Sequence, residues 1–176
     1  MPPSDSIYLH NAISLLEKTP KVLETLLAGA SDSTVIWKPA PERWSIAEVL
    51  AHLTEVEVRF NSRLQRIVGE DSPALESYFP PPGYPEANSV RNPADDLVAG
   101  FSDARSGTIA FLSMLPPTTG ERTAVHPDLG PVTLADFLNA WAVHDLGHLR
   151  QITELYRARE FYPFAGPFRA YTTLRP

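Results

Sequence analysis

Apolar residues recur every three or four positions in four separate stretches of this chain, and strand-like alternation is almost absent. That period belongs to amphipathic helices. Four of them, joined by irregular connectors, predict an all-α four-helix bundle. The first stretch runs from about Ser6 to Ala28, carrying Ile13, Leu16, Leu23 and Leu27, and Gly29 is its stop. Pro20 lies inside it. Thr19-Pro20 fits either the N-cap and first residue of a second segment or a kink in one long helix. The second stretch opens on Ser45 and Glu48, an S-x-x-E capping box, and places Ile46, Val49, Leu53, Val56, Phe60, Leu64 and Ile67 on one face to about Val68. The third opens on Asn92 as N-cap with Pro93 at the first helical position, and carries Leu97, Phe101, Thr108, Ile109, Leu112 and Leu115. The last is capped by Thr133 and Asp136 and carries Leu134, Leu138, Trp141, Leu149, Ile152 and Leu155.

The connectors differ in length. Residues 30–44 cannot be regular helix around Trp37-Lys38-Pro39-Ala40-Pro41. Residues 70–92 hold Phe79-Pro80-Pro81-Pro82-Gly83-Tyr84-Pro85 and exceed the ~2–8 residues usual between bundle helices, so they predict a long crossover between the second and third helices. A flap over a pocket, touching it through Tyr78, Phe79 and Tyr84, is compatible with that path. Residues 118–132 read as a short irregular or weakly extended link with a turn at His126-Pro127-Asp128-Leu129-Gly130. The whole chain, 1–176, reads as one domain with its core over about 5–157. The tail 158–176 is aromatic and proline-bearing, and is expected to pack over the bundle or on a partner chain.

Composition narrows the chemistry. There are no cysteines, so disulfides, thiolate metal sites and cysteine nucleophiles are excluded, and a metal ligand must be His, Asp or Glu. A net charge of -6, with lysine only at positions 18, 21 and 38, excludes a broad nucleic-acid surface. No apolar run approaches the ~20 residues of a membrane span, and the Met1–Asp5 end lacks the pattern of a signal peptide. The expectation is a cytoplasmic protein with a small-molecule substrate, no nucleic acid and no membrane.

Against that background His144 and His148 stand out. Four residues apart on a helix, they share one face. Counted from Trp141, it is the face turned to the core. A single buried histidine is satisfied by one hydrogen bond. Two on adjacent turns are harder to explain as packing, because buried polar groups without partners are costly. His52 lies on the inward stripe of the second helix, between Val49 and Val56, and is the natural third ligand. Three imidazoles suit one divalent transition metal such as Zn, Ni, Fe or Mn, and leave positions open for water and substrate. Glu55, three residues after His52, is the candidate catalytic group, as general base or as partner to a ligand. A solvated helix carboxylate is the plain alternative. Gln151, three residues after His148, is placed either to hydrogen-bond within the site or to face solvent. Asp145 reads as a surface or interhelix pairing group, His10 as a core or surface histidine, and His126 as exposed. Trp37, Trp44 and Trp141 read as packing. Phosphate-binding, dinucleotide and nucleophile-elbow motifs are absent, as are the paired Glu-x-x-His motifs of di-iron bundles.

The run Trp44-Ser45-Ile46-Ala47-Glu48-Val49-Leu50-Ala51-His52-Leu53 and the run His144-Asp145-Leu146-Gly147-His148-Leu149-Arg150-Gln151-Ile152 resemble the two signature helices of the DinB-like superfamily of small metal-binding bundles. The resemblance covers about residues 5–157. It implies a four-helix bundle with a long crossover, His52, His144 and His148 as the metal triad, and a homodimer. Assigned activities in that family include transferases and isomerases that use a low-molecular-weight thiol such as bacillithiol or mycothiol. The functional expectation is therefore a divalent-metal-binding enzyme acting on a small electrophile, of thiol transferase or hydrolase type. The alternative is a non-catalytic binding or stress-response module with a structural or fortuitous metal.

Overall fold

A computed structural model of the protein describes residues 5–77 and 93–174, with side chains from Leu9 onward. The crossover residues Tyr78, Phe79 and Tyr84 and the expected N-cap Asn92 lie outside the described residues. Four long helices form the bundle: α1 (Asp5–Leu27), α3 (Ile46–Gly69), α4 (Ala94–Ser113) and α5 (Leu134–Tyr156), with a single turn, α2 (Asp32–Val35), in the first connector. Both predicted capping boxes form. Ser45 Oγ accepts from the Glu48 amide at 3.2 Å while Glu48 returns a bond to the Ser45 amide at 2.6 Å. Thr133 and Asp136 do the same at the head of α5. The first helix is one helix rather than two segments and runs through Pro20. Proline has no amide hydrogen to give the carbonyl four residues back, and that carbonyl, Leu16 O, accepts from Arg105 Nη1 at 2.8 Å instead. The third helix starts one residue later than expected, with Pro93 flanking its first turn rather than opening it.

The link expected to be irregular or weakly extended is extended and closes into a hairpin. β1 (Thr123–His126) pairs antiparallel with β2 (Gly130–Thr133), turning at the predicted place with Gly130 at φ +75°. Ala74 and Val125 add a short parallel bridge, and Arg122 Nε reaches the end of α3 at Ile67 O, 2.7 Å away. Two four-residue strands are too short to announce themselves by alternation. The tail continues α5 as one wider turn and then two 3-10 turns. It is only partly packed: Tyr156 meets the Phe161 edge and Arg159 lies over the Trp37 ring, while Phe161, Phe164, Phe168 and Tyr171 are exposed.

The apolar core is in two parts. One holds Leu23, Leu27, Val49, Leu50, Leu53, Phe101, Ile152 and Leu155, and the other Leu9, Leu16, Leu64, Ile67, Leu112, Leu138 and Trp141. The order in which each helix passes from one part to the other gives its direction. α1 and α5 run one way, α3 and α4 the other. Because α3 and α4 are parallel, the end of one and the start of the next lie at opposite ends of the bundle, as the long connection between them requires. α1 lies beside α4 and α5, and so does α3. Between the two apolar parts lies a belt of polar residues: Thr19, His52, Glu57, Arg105, Thr108 and Asp145 are all buried there.

Candidate metal centre

His52 comes from α3, and His144 and His148 from α5, all within this belt. One ring nitrogen from each lies within 4.8 Å of the other two. His52 Nε2 and His144 Nε2 are 3.2 Å apart. Bonds of ~2.0–2.1 Å from a tetrahedral zinc set ligand nitrogens about 3.3 Å from one another, so this spacing suits a shared ion. The donor set, three imidazoles and no carboxylate, fits a borderline transition metal rather than magnesium or calcium.

The rings are oriented by their surroundings. His148 Nδ1 donates to Gln151 Oε1 at 3.0 Å, which turns its Nε2 toward the cluster. Trp44 meets His52 edge-on with ring centres 5.0 Å apart and stacks on His148 at 6.3 Å. Phe60 lies 5.6 Å from the His144 ring. His52 is buried, while His144 is 23% exposed, so the cluster is approached from the α5 side. Burial first, then the neighbouring imidazoles, push the His52 pKa down to about 3. Burial first, then His144, push that of His148 down to about 4, opposed in part by Gln151 and Asp145. Both rings are therefore neutral at ordinary pH, with lone pairs available to a cation.

The other sequence candidates fall elsewhere. Glu55 does not join the three nitrogens. Its Oε1 accepts from Arg59 Nε at 3.0 Å and from Nη2 at 2.9 Å on the helix surface. His10 is exposed on α1. His126, expected to be exposed, is partly covered, and its Nδ1 accepts from the Asp128 amide at 3.2 Å. Trp44 packs as expected, but against the imidazoles.

The residue that sequence reasoning missed is Arg105. Its Nε donates to Glu57 Oε2 at 2.8 Å and its Nη1 to Asp145 Oδ2 at 2.7 Å, and all three side chains are at most 1% exposed. Its guanidinium carbon sits 4.8 Å from the Phe101 ring centre and 5.3 Å from that of Trp141. With Leu16 O included, one side chain of α4 is tied to the other three long helices. Asp145 is thus a buried interhelix partner and not a surface group. The signal was present: position 105 continues the apolar stripe through Phe101 and Thr108, and an arginine there demands buried counter-charges.

A four-helix bundle that gathers three imidazoles from two of its helices is the class of protein that fold and site define. The chain belongs to the DinB superfamily, whose sequence model matches residues 15–152. It is 21% identical over 156 residues to "Putative metal-dependent hydrolase OB0782" of Oceanobacillus iheyensis, covering 89% of this chain and 90% of that one. To the protein YuaE of Bacillus subtilis, which carries no assigned activity in its name, it is 28% identical over 142 residues, covering 73% and 87%. Among solved structures it is similar to YfiT from Bacillus subtilis, described as a probable metal-dependent hydrolase with an unusual four-helix bundle topology. The TM-score is 0.75 at 23% identity, covering 85% of this chain and 86% of that one. The likeness establishes the fold. Among the described residues no helix is long and apolar enough to cross a membrane.

Proposed function

We propose that His52, His144 and His148 hold one divalent transition ion (Zn, Ni, Fe or Mn) and that the protein is a metal-dependent enzyme acting on a small electrophilic substrate. The observation that carries this reading is the meeting of three ring nitrogens within 4.8 Å, at a height of the bundle where polar side chains interrupt the core. Such an ion, when bound, lowers the pKa of a water or thiol and supplies a nucleophile near neutral pH. The remaining work falls to the chain. His52 and His148 are kept neutral by burial, so little proton release precedes ligation. Gln151 fixes the His148 ring, and Trp44 shields one side of the cluster with an apolar surface. Glu55 is our proton acceptor, one turn from His52; to serve, its carboxylate exchanges Arg59 for the proton of the attacking water or thiol.

The names of two relatives speak of metal-dependent hydrolases, which favours hydrolysis over transfer to a low-molecular-weight thiol. A homodimer belongs to the same reading, with the exposed aromatic tail and Val143 of α5 as surface for a second copy. The test is metal analysis of the purified protein, followed by turnover of activated esters and amides, and of a thiol with an electrophile, before and after chelation. Activity is expected to vanish with the metal and return on its replacement. Full activity in His148→Ala would remove the ion from the mechanism.

A further inference from the structure

We infer that Asp145, held in place by Arg105, is the positioning residue for His144: it selects the ring tautomer that turns a lone pair toward the triad. The role rests on the metal reading above for its purpose, though not for its test.

His144 presents Nε2 to His52, which leaves Nδ1 on the far side of the ring. That nitrogen is buried and has no hydrogen-bond partner, and the Asp145 carboxylate stands behind it with Oδ1 at 3.8 Å. A movement of the His144 ring by about 0.8 Å brings the two into hydrogen-bond range. The carboxylate cannot drift elsewhere. Arg105 holds Oδ2 at 2.7 Å and Oδ1 at 3.3 Å, and is itself pinned by Glu57 and by Leu16 O. A negative oxygen facing Nδ1 favours the Nδ1–H tautomer and leaves Nε2 unprotonated. The arrangement on the next turn is the same in kind: Gln151 Oε1 faces Nδ1 of His148. Both histidines of α5 are thus backed by an oxygen from their own helix. A purely structural ion pair has no need to stand beside a ring nitrogen of the cluster.

The tautomer is read in the metal-free, full-length protein by long-range proton–nitrogen correlation on 15N-histidine, with the five histidines assigned through single His→Gln variants. His144 is expected as Nδ1–H. Finding it as Nε2–H in the unaltered protein overturns the inference without any variant having to fold. Zinc affinity is then measured by competition with a chromophoric chelator. In Asp145→Asn, Arg105 claims the amide oxygen and the NH2 group faces His144, which favours the opposite tautomer. That variant is expected to bind zinc ~10–100-fold more weakly, and Glu57→Gln, which disturbs the same ion-pair group away from His144, to stay within about 3-fold of the parent. Equal losses in the two variants, or none in Asp145→Asn, also overturn it. If the parent shows the Nδ1–H tautomer but takes up no zinc, nickel, iron or manganese, the positioning role stands and the proposed function falls.

Discussion

The histidine triad and the Arg105 ion-pair group lie at the same height in the bundle and meet at adjacent residues, His144 and Asp145, yet they are built on opposite terms. Around Arg105 the chain supplies both the acceptors and the cation: two carboxylates and a carbonyl converge on one guanidinium. In the triad the chain turns three imidazoles toward one point and supplies no cation, and burial keeps His52 and His148 neutral. The first arrangement is sealed at 1% exposure or less, as burial of charge requires. The second reaches the surface through His144. The contrast teaches that polar residues in a helical core follow two logics. A group that contains its own counter-charge fastens helices. A group that lacks one offers its lone pairs to something from outside.

The largest expected effect breaks the sealed group. Arg105→Met leaves Glu57 and Asp145 buried without a counter-charge and should cost ~3–5 kcal/mol in urea denaturation. Replacing all three residues by apolar ones should recover most of that stability while zinc affinity stays low, which separates fastening from positioning. Acid sharpens the comparison next. In the unfolded chain His52 and His148 titrate near 6.5, and in the folded protein near 3 and 4. The unfolded state takes up protons first, so the stability of the metal-free protein should be full above about 6.5 and fall as the pH drops toward 3. Burial by itself would raise the Asp145 pKa, but His144 and Arg105 hold it below 3.8, so the stability it contributes is lost only as the pH falls from there. Urea midpoints measured across that range check the order; a midpoint flat from neutrality to pH 4 contradicts the neutral-ring description of His52 and His148. A smaller effect is expected from Gln151→Ala. The His148 Nδ1 loses its acceptor, for ~1 kcal/mol of stability and about tenfold in zinc affinity. Smallest is Arg59→Ala, which should cost only ~0.3–0.5 kcal/mol on the helix surface. If Glu55 accepts the proton, turnover in that variant should hold or rise, whereas a fall would argue against Glu55.

Much of this was legible in the residues alone. Ser45 with Glu48 and Thr133 with Asp136 mark helix starts because their side chains satisfy amides that a helix end leaves open. The inward stripe put His52 beside Val49 and Val56, and the four-residue spacing put His144 and His148 together, because a helix has a fixed period. What periodicity cannot convey is which residues of different helices meet. Arg105, Glu57 and Asp145 are far apart in sequence, and the inward position of Arg105 calls for counter-charges without naming them. Successive helix residues diverge by about 100°, which sets Asp145 on a different side of α5 from His144. There it finds Arg105, while the proximity of its backbone to His144 keeps the carboxylate near that ring. Glu55 illustrates the converse: three residues from His52 is close in register, but Arg59, one turn on, claims the carboxylate.

The directions of the helices bear on how the chain comes together. α1 and α3 do not lie side by side, nor do α4 and α5, while α3 and α4 are neighbours pointing the same way. No two successive long helices can therefore zip into an antiparallel hairpin, the local unit that lets simple up-and-down bundles assemble early. Every lateral pairing must wait for distant segments to find each other, which slows folding at a given stability. Half-length pieces of this protein should remain largely unstructured, and the imidazole cluster, which draws on both halves, can exist only once the last helix has docked.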